Sequence, residues 1–246
     1  MSTDTFPEGL THALKDGVSW LTIDRPRRAN SMTLDMQTAM AAWLRRSQED
    51  ADVKALVITA IGHVFSAGGD LRELADAEPR ALAKRRRDIF LDLLEALLAS
   101  GKPVVMAVNG KAIGAGAMIG LLGDQVVASD DGLFDLPEVL IDTPAYLASA
   151  ITLHIAGRAA SNSLLLAGKP LLARDAALRG WIAEAVPRDA LAARAQEVAV
   201  ALAAVPHEAF ALTKEWMNRP LRAAMREACD ESVRVRAMRF IPTARR

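Results

Sequence analysis

The order of the apolar segments along the chain is the feature that most constrains its fold. Continuous or β-rich apolar runs bounded by Gly and Pro come first, and they alternate with segments whose apolar residues recur at helical spacing. After Glu138 the pattern is helical almost throughout. Continuous apolar runs of this length are typical of strands covered on both faces. Strands interleaved with helices, and then helices alone, predict an α/β core followed by a helical C-terminal region.

The individual elements follow from the same spacing. Strands are predicted at residues 18–23, 53–60 and 104–108. Helices are predicted at residues 34–49, 81–98, 145–156, 159–166, 173–180, 188–203, 207–218 and 221–235. We expect the core to occupy residues 1–190 and the C-terminal helical region to occupy residues 191–246.

Composition excludes several classes of function. Hydrophobic residues make up 51% of the 246 residues, which is enough for a sizeable core and excludes global disorder. Thirty basic and thirty acidic side chains balance, whereas nucleic-acid binders usually carry a basic excess. The single cysteine, Cys229, excludes an intrachain disulfide and a cysteine-rich zinc site, and the four histidines are isolated from one another. The N-terminus shows no signal-peptide pattern. We therefore expect a cytoplasmic protein with no metal.

Two glycine-rich turns each follow a predicted strand. The first is Phe65-Ser-Ala-Gly-Gly-Asp70, and the second runs from Val108 to Gly116. Small residues let a ligand approach the backbone closely, and a turn that opens a helix presents free N–H groups to an anion. Two such groups converging on one oxygen would form an oxyanion hole. From the residues alone, two tight packing turns are the favoured interpretation.

Four sequence blocks together carry a family resemblance. They are Asp24-Arg25-Pro26 with Asn30-Ser31-Met32, then Phe65-Ser-Ala-Gly-Gly-Asp-Leu71, then Lys102-Pro103 with Ala107-Val-Asn-Gly110, and then Leu136-Pro-Glu-Val139. Their order and spacing over about residues 15–215 resemble the crotonase superfamily of enoyl-CoA hydratases and isomerases. The resemblance implies a crotonase (ClpP/crotonase-like) spiral of ββα units, a C-terminal helical trimerisation region, and assembly into homotrimers or dimers of trimers.

The resemblance also assigns an oxyanion hole. One donor would be the backbone N–H of Gly69, in the first turn. The other would be the N–H of Ala115, which stands where the family has the middle glycine of a G-G-G, and this donor requires a negative φ at Ala115. The thioester carbonyl would lie between the two amides while its oxygen gains enolate charge.

The acid/base residues depart from the hydratase pattern. Hydratases of the family use two glutamates, and this chain has Met118 at the first position and Glu138 at the second. The apolar neighbours of Glu138 predict a raised pKa, which suits proton transfer. A single base suits isomerisation of 3-enoyl-CoA to 2-enoyl-CoA, and the segment from Asp142 to Leu147 is similar to that of short-chain isomerases. Isomerase activity is therefore favoured over hydratase activity.

Asp142 leaves two interpretations open. It stands four residues after Glu138, where hydratases usually have glycine, and a second acid in the pocket would suit hydrolytic, decarboxylative or diene chemistry. The alternative function is a hydratase that works with Glu138 alone or with Asp142, or another crotonase-type lyase or hydrolase. The sequence Asp-x-Pro is also a normal helix start, so we expect Asp142 to cap the helix that begins near Pro144.

The remaining predictions concern binding. By resemblance, the substrate contacts would be made by Arg27, Ala29, Ala67, Asp70, Leu71, Arg72, Met118, Asp142 and Tyr146. The partner would be an acyl-CoA thioester, with CoA as part of the substrate and no separate cofactor. An alternative of a different class is a non-catalytic crotonase-fold protein that binds CoA or RNA. Only the basic run Lys84-Arg-Arg-Arg87 and the basic C-terminus support it, and the neutral charge opposes it.

Overall fold

The computed structural model describes residues 6–74 and 79–239. The strands are β1 (Leu10–Lys15), β2 (Val18–Ile23), β3 (Ala55–Ala60), β4 (Val64–Ser66), β5 (Val104–Val108), β6 (Lys111–Ile113), β7 (Gln125–Ser129), β8 (Leu133–Asp135), β9 (Leu171–Leu172) and β10 (Glu184–Val186). The helices are α1 (Leu34–Glu49), α2 (Pro79–Leu98), α3 (Ala115–Gly120), α4 (Tyr146–Ser161), α5 (Ala173–Leu178), α6 (Leu191–Ala203) and α7 (His207–Arg239). A π-helical turn, Asn162–Leu166, continues α4.

Two sheets are built from a repeated strand–strand–helix unit. The larger sheet has the order β1-β2-β3-β5-β7-β10 and is parallel except at the β1–β2 pair. The smaller sheet has the order β4-β6-β8-β9 and is parallel from β4 to β8. Each of the pairs β3–β4, β5–β6 and β7–β8 gives one strand to each sheet before a helix follows. This winding is the predicted spiral of ββα units.

Both faces of the larger sheet are covered, as the continuous apolar strands predict. In β3, Leu56 and Ile58 lie in the main core together with residues of α1 and α2. Ala55 and Val57 point to the other face, where α6 packs against them. The predicted boundary between the core and the C-terminal region falls just before α6. By its packing, however, α6 belongs with the larger sheet that it covers.

The C-terminal helix differs from its prediction. Two helices were expected on either side of Pro220, but α7 is continuous through it. A proline inside a helix costs about 3 kcal/mol. Contacts on both sides of Pro220 offset this cost, because Asn218 donates to the Leu98 carbonyl at 3.0 Å and Arg222 lies 2.6 Å from a carboxylate oxygen of Glu95. Tertiary packing on α2 therefore overrides the local break.

Asp142 does not cap a helix, and that expectation is wrong. Its φ is 54°, in the left-handed region, and its N–H bonds to the Val139 carbonyl at 3.3 Å. It thereby ends a 3₁₀ turn, Glu138–Ile141, and its side chain is exposed. Helix α4 starts only at Tyr146. Asp tolerates the left-handed conformation better than most residues, which explains its place at the end of this turn.

Candidate active site

The two glycine-rich turns and Glu138 follow three neighbouring strands of the smaller sheet. Gly68 and Gly69 of the first turn follow β4, the end of the second turn from Gly114 to Gly116 follows β6, and Glu138 comes three residues after the end of β8. Because β4, β6 and β8 are parallel, their carboxyl ends meet at one edge of the sheet. The fold therefore brings the three sequence-predicted segments to one place.

The two turns are in direct contact. A β-carbon on Gly116 would stand 2.4 Å from the Ser66 carbonyl oxygen, so only glycine fits there. A β-carbon on Gly68 would stand 3.4 Å from the Ala115 nitrogen. Gly68 has a φ of +94°, a conformation that glycine adopts without strain. The small residues thus bring the first turn against the start of α3.

The amides of Gly69 and Ala115 are left outside the pairing of these turns. Met32 pairs with the two residues on either side of Gly69. The Met32 N–H donates to the Gly68 carbonyl at 2.8 Å, and the Met32 carbonyl accepts from the Asp70 N–H at 2.9 Å. That pairing does not use the Gly69 N–H. Ala115 is the first residue of α3, and the first four N–H groups of a helix have no intrahelical acceptor. The φ of Ala115 is not positive, so Ala115 meets the backbone requirement stated above for the second oxyanion donor.

Glu138 lies beside the second turn. Its Oε1 is 3.8 Å from the point where a β-carbon would stand on Gly114, the residue before α3. Its Oε2 is buried and has no hydrogen-bond partner among the described residues. Burial raises the pKa of Glu138, and the nearby charge of Asp135 adds to the rise. The direction agrees with the sequence prediction, although Leu140 and Ile141, which were expected to shield Glu138, are exposed.

Asp135 is a second carboxylate of this site that the sequence analysis did not identify. It is the last residue of β8, and its carbonyl accepts a hydrogen bond from the Gly114 N–H at 2.8 Å. Its Oδ1 is buried without a partner among the described residues, and burial raises the pKa of Asp135. The signal in the sequence was a carboxylate three residues before Glu138.

Met118 occupies the place of the missing glutamate. It lies in the middle of α3, its N–H donates to the Gly114 carbonyl at 3.0 Å, and its side chain is buried. A buried thioether offers no proton-transfer group. The carboxylates of Asp135 and Glu138 therefore both come from the segment that ends β8, and neither comes from α3.

Three of the predicted substrate contacts lie together beside the first turn. The Ala67 N–H donates to the Ala29 carbonyl at 2.9 Å, and Ala29 has a φ of 47°. Asp70 is buried and holds the turn, because its carboxylate lies 3.1 Å from Arg25 Nη1 and accepts from the Arg72 N–H at 3.1 Å. The Asp70 side chain is thus occupied by the protein itself.

The other predicted contacts are more dispersed. Arg27 and Arg72 are exposed, in two separate 3₁₀ turns, and Tyr146 is half-buried at the first position of α4. Leu71 begins the second of these turns, but its side chain lies outside the described part of the structure. Asp142 lies at the exposed end of the turn that Glu138 begins.

Residues 6–74 and 79–239 contain neither a candidate metal cluster nor a candidate membrane-spanning helix. Within these ranges no three His, Cys, Asp or Glu residues are grouped so that they could hold a metal ion. No helix within the same ranges is long and apolar enough to cross a membrane.

Comparisons with known proteins agree with this geometry. The family model described as "Enoyl-CoA hydratase/isomerase" matches residues 13–240. The chain is 33% identical over 214 residues to the 1,2-epoxyphenylacetyl-CoA isomerase of Escherichia coli K12, covering 85% of this chain and 81% of that protein. It is 29% identical over 219 residues to the mouse mitochondrial enoyl-CoA hydratase domain-containing protein 3, covering 87% and 71%.

A solved structure gives the same result for the fold. The crystal structure of a probable enoyl-CoA hydratase, EchA3, from Mycobacterium tuberculosis H37Rv superposes with a TM-score of 0.86 at 30% identity, covering 94% of this chain and 98% of that one. The chain therefore belongs to the enoyl-CoA hydratase/isomerase family of the crotonase superfamily, and it is an acyl-CoA-processing enzyme.

Proposed function

We propose that the protein isomerises 3-enoyl-CoA to 2-enoyl-CoA with Glu138 as its single acid/base. The observation that carries this proposal is the position of the Glu138 carboxylate beside the second turn. Its Oε1 is 3.8 Å from the β-carbon position of Gly114, and its Oε2 is buried without a partner among the described residues. The absence of a second glutamate at Met118 supports isomerisation over hydration, because hydration needs a further group to activate water. The Escherichia coli relative is also named as an isomerase of a CoA ester.

The proposed mechanism moves one proton between two carbons of the substrate. The Glu138 carboxylate removes a proton from C2, between the thioester and the 3,4 double bond. The electron pair passes to the thioester oxygen, which the amides of Gly69 and Ala115 stabilise as a dienolate. Each such donor contributes about 2.7–4 kcal/mol to the transition state. Glu138 then returns the proton at C4, the double bond moves to C2–C3, and no water is added.

The binding residues and assembly belong to the same proposal. Arg27, Ala29, Ala67 and the segment 69–72 would contact the CoA part of the substrate through backbone and exposed cations, and Met118 and Tyr146 would contact the acyl part. Asp142 lies at the rim of the site as a further contact. The enzyme would act in the cytoplasm as a homotrimer or dimer of trimers, with CoA entering only as part of the substrate.

The test follows the fate of the proton. The purified protein is incubated with 3-hexenoyl-CoA in heavy water, and the product is followed by mass spectrometry and by the absorbance of the conjugated thioester. We expect conjugated 2-hexenoyl-CoA and no 3-hydroxyacyl-CoA. Glu138→Gln should lower the rate about 10²- to 10⁴-fold, the usual contribution of a general acid/base. Glu197→Gln is the matched control, because Glu197 is an exposed carboxylate that pairs with Arg194 on α6.

Asp135 gives the alternative function a specific basis. Two neighbouring carboxylates, Asp135 and Glu138, are the residue types that hydratases of the family use around water. Formation of 3-hydroxyhexanoyl-CoA, lost in both Asp135→Asn and Glu138→Gln, would replace isomerisation by hydration. Unchanged isomerisation in Glu138→Gln would refute the single-base proposal.

A further inference from the structure

Arg86 lies against Gly69, one of the two candidate oxyanion donors. It projects from α2, and its Nη2 is 2.6 Å from the point where a β-carbon would stand on Gly69. Its Nη1 donates to the Asp70 carbonyl at 3.0 Å. The guanidinium therefore rests on the backbone of Gly69 and Asp70, and it fits there because Gly69 has no side chain.

The charge of Arg86 is not balanced by an acidic side chain in the described residues. Two other cations of the basic run, Lys84 and Arg87, are paired, since both contact the carboxylate of Asp88. Arg86 is half-buried, and its only hydrogen bond within the described part of the chain goes to a backbone carbonyl. A partly desolvated guanidinium with free N–H groups binds carboxylates strongly, often through two hydrogen bonds.

The position of Arg86 limits which part of a bound substrate could carry a carboxylate that pairs with it. The nitrogen of a residue is about 2.5 Å from its β-carbon, so Arg86 Nη2 lies no more than about 5 Å from the Gly69 nitrogen. A thioester oxygen bound to the Gly69 amide at about 3 Å would then be within about 8 Å of Nη2. This span reaches the acyl part of the substrate a few carbons from the thioester. The phosphates of CoA lie beyond the long pantetheine arm and do not fit at this distance.

On the basis of the proposed function, we infer that Arg86 selects acyl-CoA substrates that carry a second carboxylate on a short acyl chain. The substrate class is the monothioester of a dicarboxylic acid. One carboxyl group forms the thioester at Gly69 and Ala115, and the other pairs with the Arg86 guanidinium. Arg86 is a specificity-determining residue in this arrangement, and it takes no part in the proton transfer by Glu138.

The experiment measures binding without turnover. Glutaryl-CoA and pentanoyl-CoA have the same number of acyl carbons, differ in the terminal carboxylate and contain no double bond to isomerise. Their dissociation constants are measured by titration calorimetry for the wild type, Arg86→Gln and Arg85→Gln. Arg85 is the matched control, because it is an exposed cation of the same run. We expect the wild type and Arg85→Gln to bind glutaryl-CoA about 10- to 100-fold more tightly than pentanoyl-CoA. This is the range that a hydrogen bond to a charged group contributes. Arg86→Gln should bind the two esters equally.

Other outcomes separate this inference from the proposed function. Equal binding of both esters by the wild type, or a preference that survives in Arg86→Gln, would overturn the role of Arg86. A glutaryl-CoA preference that depends on Arg86, in a protein that does not isomerise 3-hexenoyl-CoA or its ω-carboxylated analogue, would sustain the carboxylate site and refute the isomerase proposal. Gly69→Ala keeps the backbone amide but displaces Nη2, so it should weaken the preference for glutaryl-CoA, and an unchanged preference would count against the assigned position.

Discussion

The contact between the two glycine-rich turns can be tested by adding one methyl group. The oxyanion donors are backbone amides, which no substitution other than proline removes, but Gly116→Ala would change their relative position. Its β-carbon would stand 2.4 Å from the Ser66 carbonyl oxygen, which is 0.6 Å inside the 3.0 Å that such a contact requires, and 2.9 Å from the Ser66 carbonyl carbon. Both atoms belong to the backbone, so one turn has to move.

The size of the effect follows from this displacement. A misplacement of catalytic groups by about 1 Å costs about 100-fold in rate, so a shift of more than half that distance should lower kcat/KM by about 10- to 100-fold. Overpacking of this kind also lowers the free energy of unfolding by about 1–3 kcal/mol. The assay is kcat/KM for 3-hexenoyl-CoA, measured beside urea unfolding of the same preparation.

Gly120→Ala is the matched control in the same helix. A β-carbon at Gly120 would meet Val108, Phe134 and Phe65 at 3.4–3.5 Å, which is ordinary packing. We expect it to leave kcat/KM unchanged. If Gly116→Ala stays folded and retains the wild-type kcat/KM, the two turns do not form the oxyanion hole, and the reasoning fails.

Three further predictions concern ionisation and stability. Asp135→Asn should lower the pKa of Glu138, because the Asp135 charge helps to raise it, so the acid limb of the kcat/KM–pH profile should move to lower pH; an unmoved limb would show that the two groups are not coupled. Since burial raises the pKa of Glu138, its ionised form weakens the fold above that pKa, and Glu138→Gln should raise the free energy of unfolding at neutral pH. That gain should vanish as the pH falls below the ordinary glutamate pKa, and a pH-independent gain in urea unfolding would contradict it. Asn30→Ala should cost about 3 kcal/mol in urea unfolding, because the buried Asn30 amide donates to the Ile61 and Val64 carbonyls and its oxygen accepts from the Arg25 N–H; a loss below about 1 kcal/mol would mean that solvent replaces these bonds.

The longer elements of the fold were predictable because their patterns are long enough to be specific. Helix α1 has the predicted bounds, and the strands at 18–23 and 104–108 are confirmed as β2 and β5. The predicted strand at 53–60 begins two residues later, as β3. These elements are α1 and three central strands of the larger sheet, where burial controls the sequence, whereas β1, β7 and β10 of the same sheet were not predicted.

The smaller sheet was missed because its strands are too short to show a period. Strands β4, β6 and β8 have three residues each, and their pairing depends on contacts between distant parts of the chain. The turns were therefore assigned to the ends of the predicted strands at residues 60 and 108, although they follow β4 and β6. Arg86 was not distinguished from the other cations of its run for a related reason, since nothing in a run of four cations indicates which one lies against a glycine fifteen or more residues away.

The positions of the two carboxylates in the chain bear on the choice between isomerisation and hydration. In the two-glutamate arrangement, the groups come from two different segments and can hold a water molecule between them. Here α3 carries Met118, and both carboxylates, Asp135 and Glu138, come from the single segment that ends β8. Two acids on one segment are well placed to tune each other's pKa, and the Asp135 charge does raise that of Glu138. The arrangement favours one base with a raised pKa, supported by a neighbour, which is what moving a proton from C2 to C4 requires.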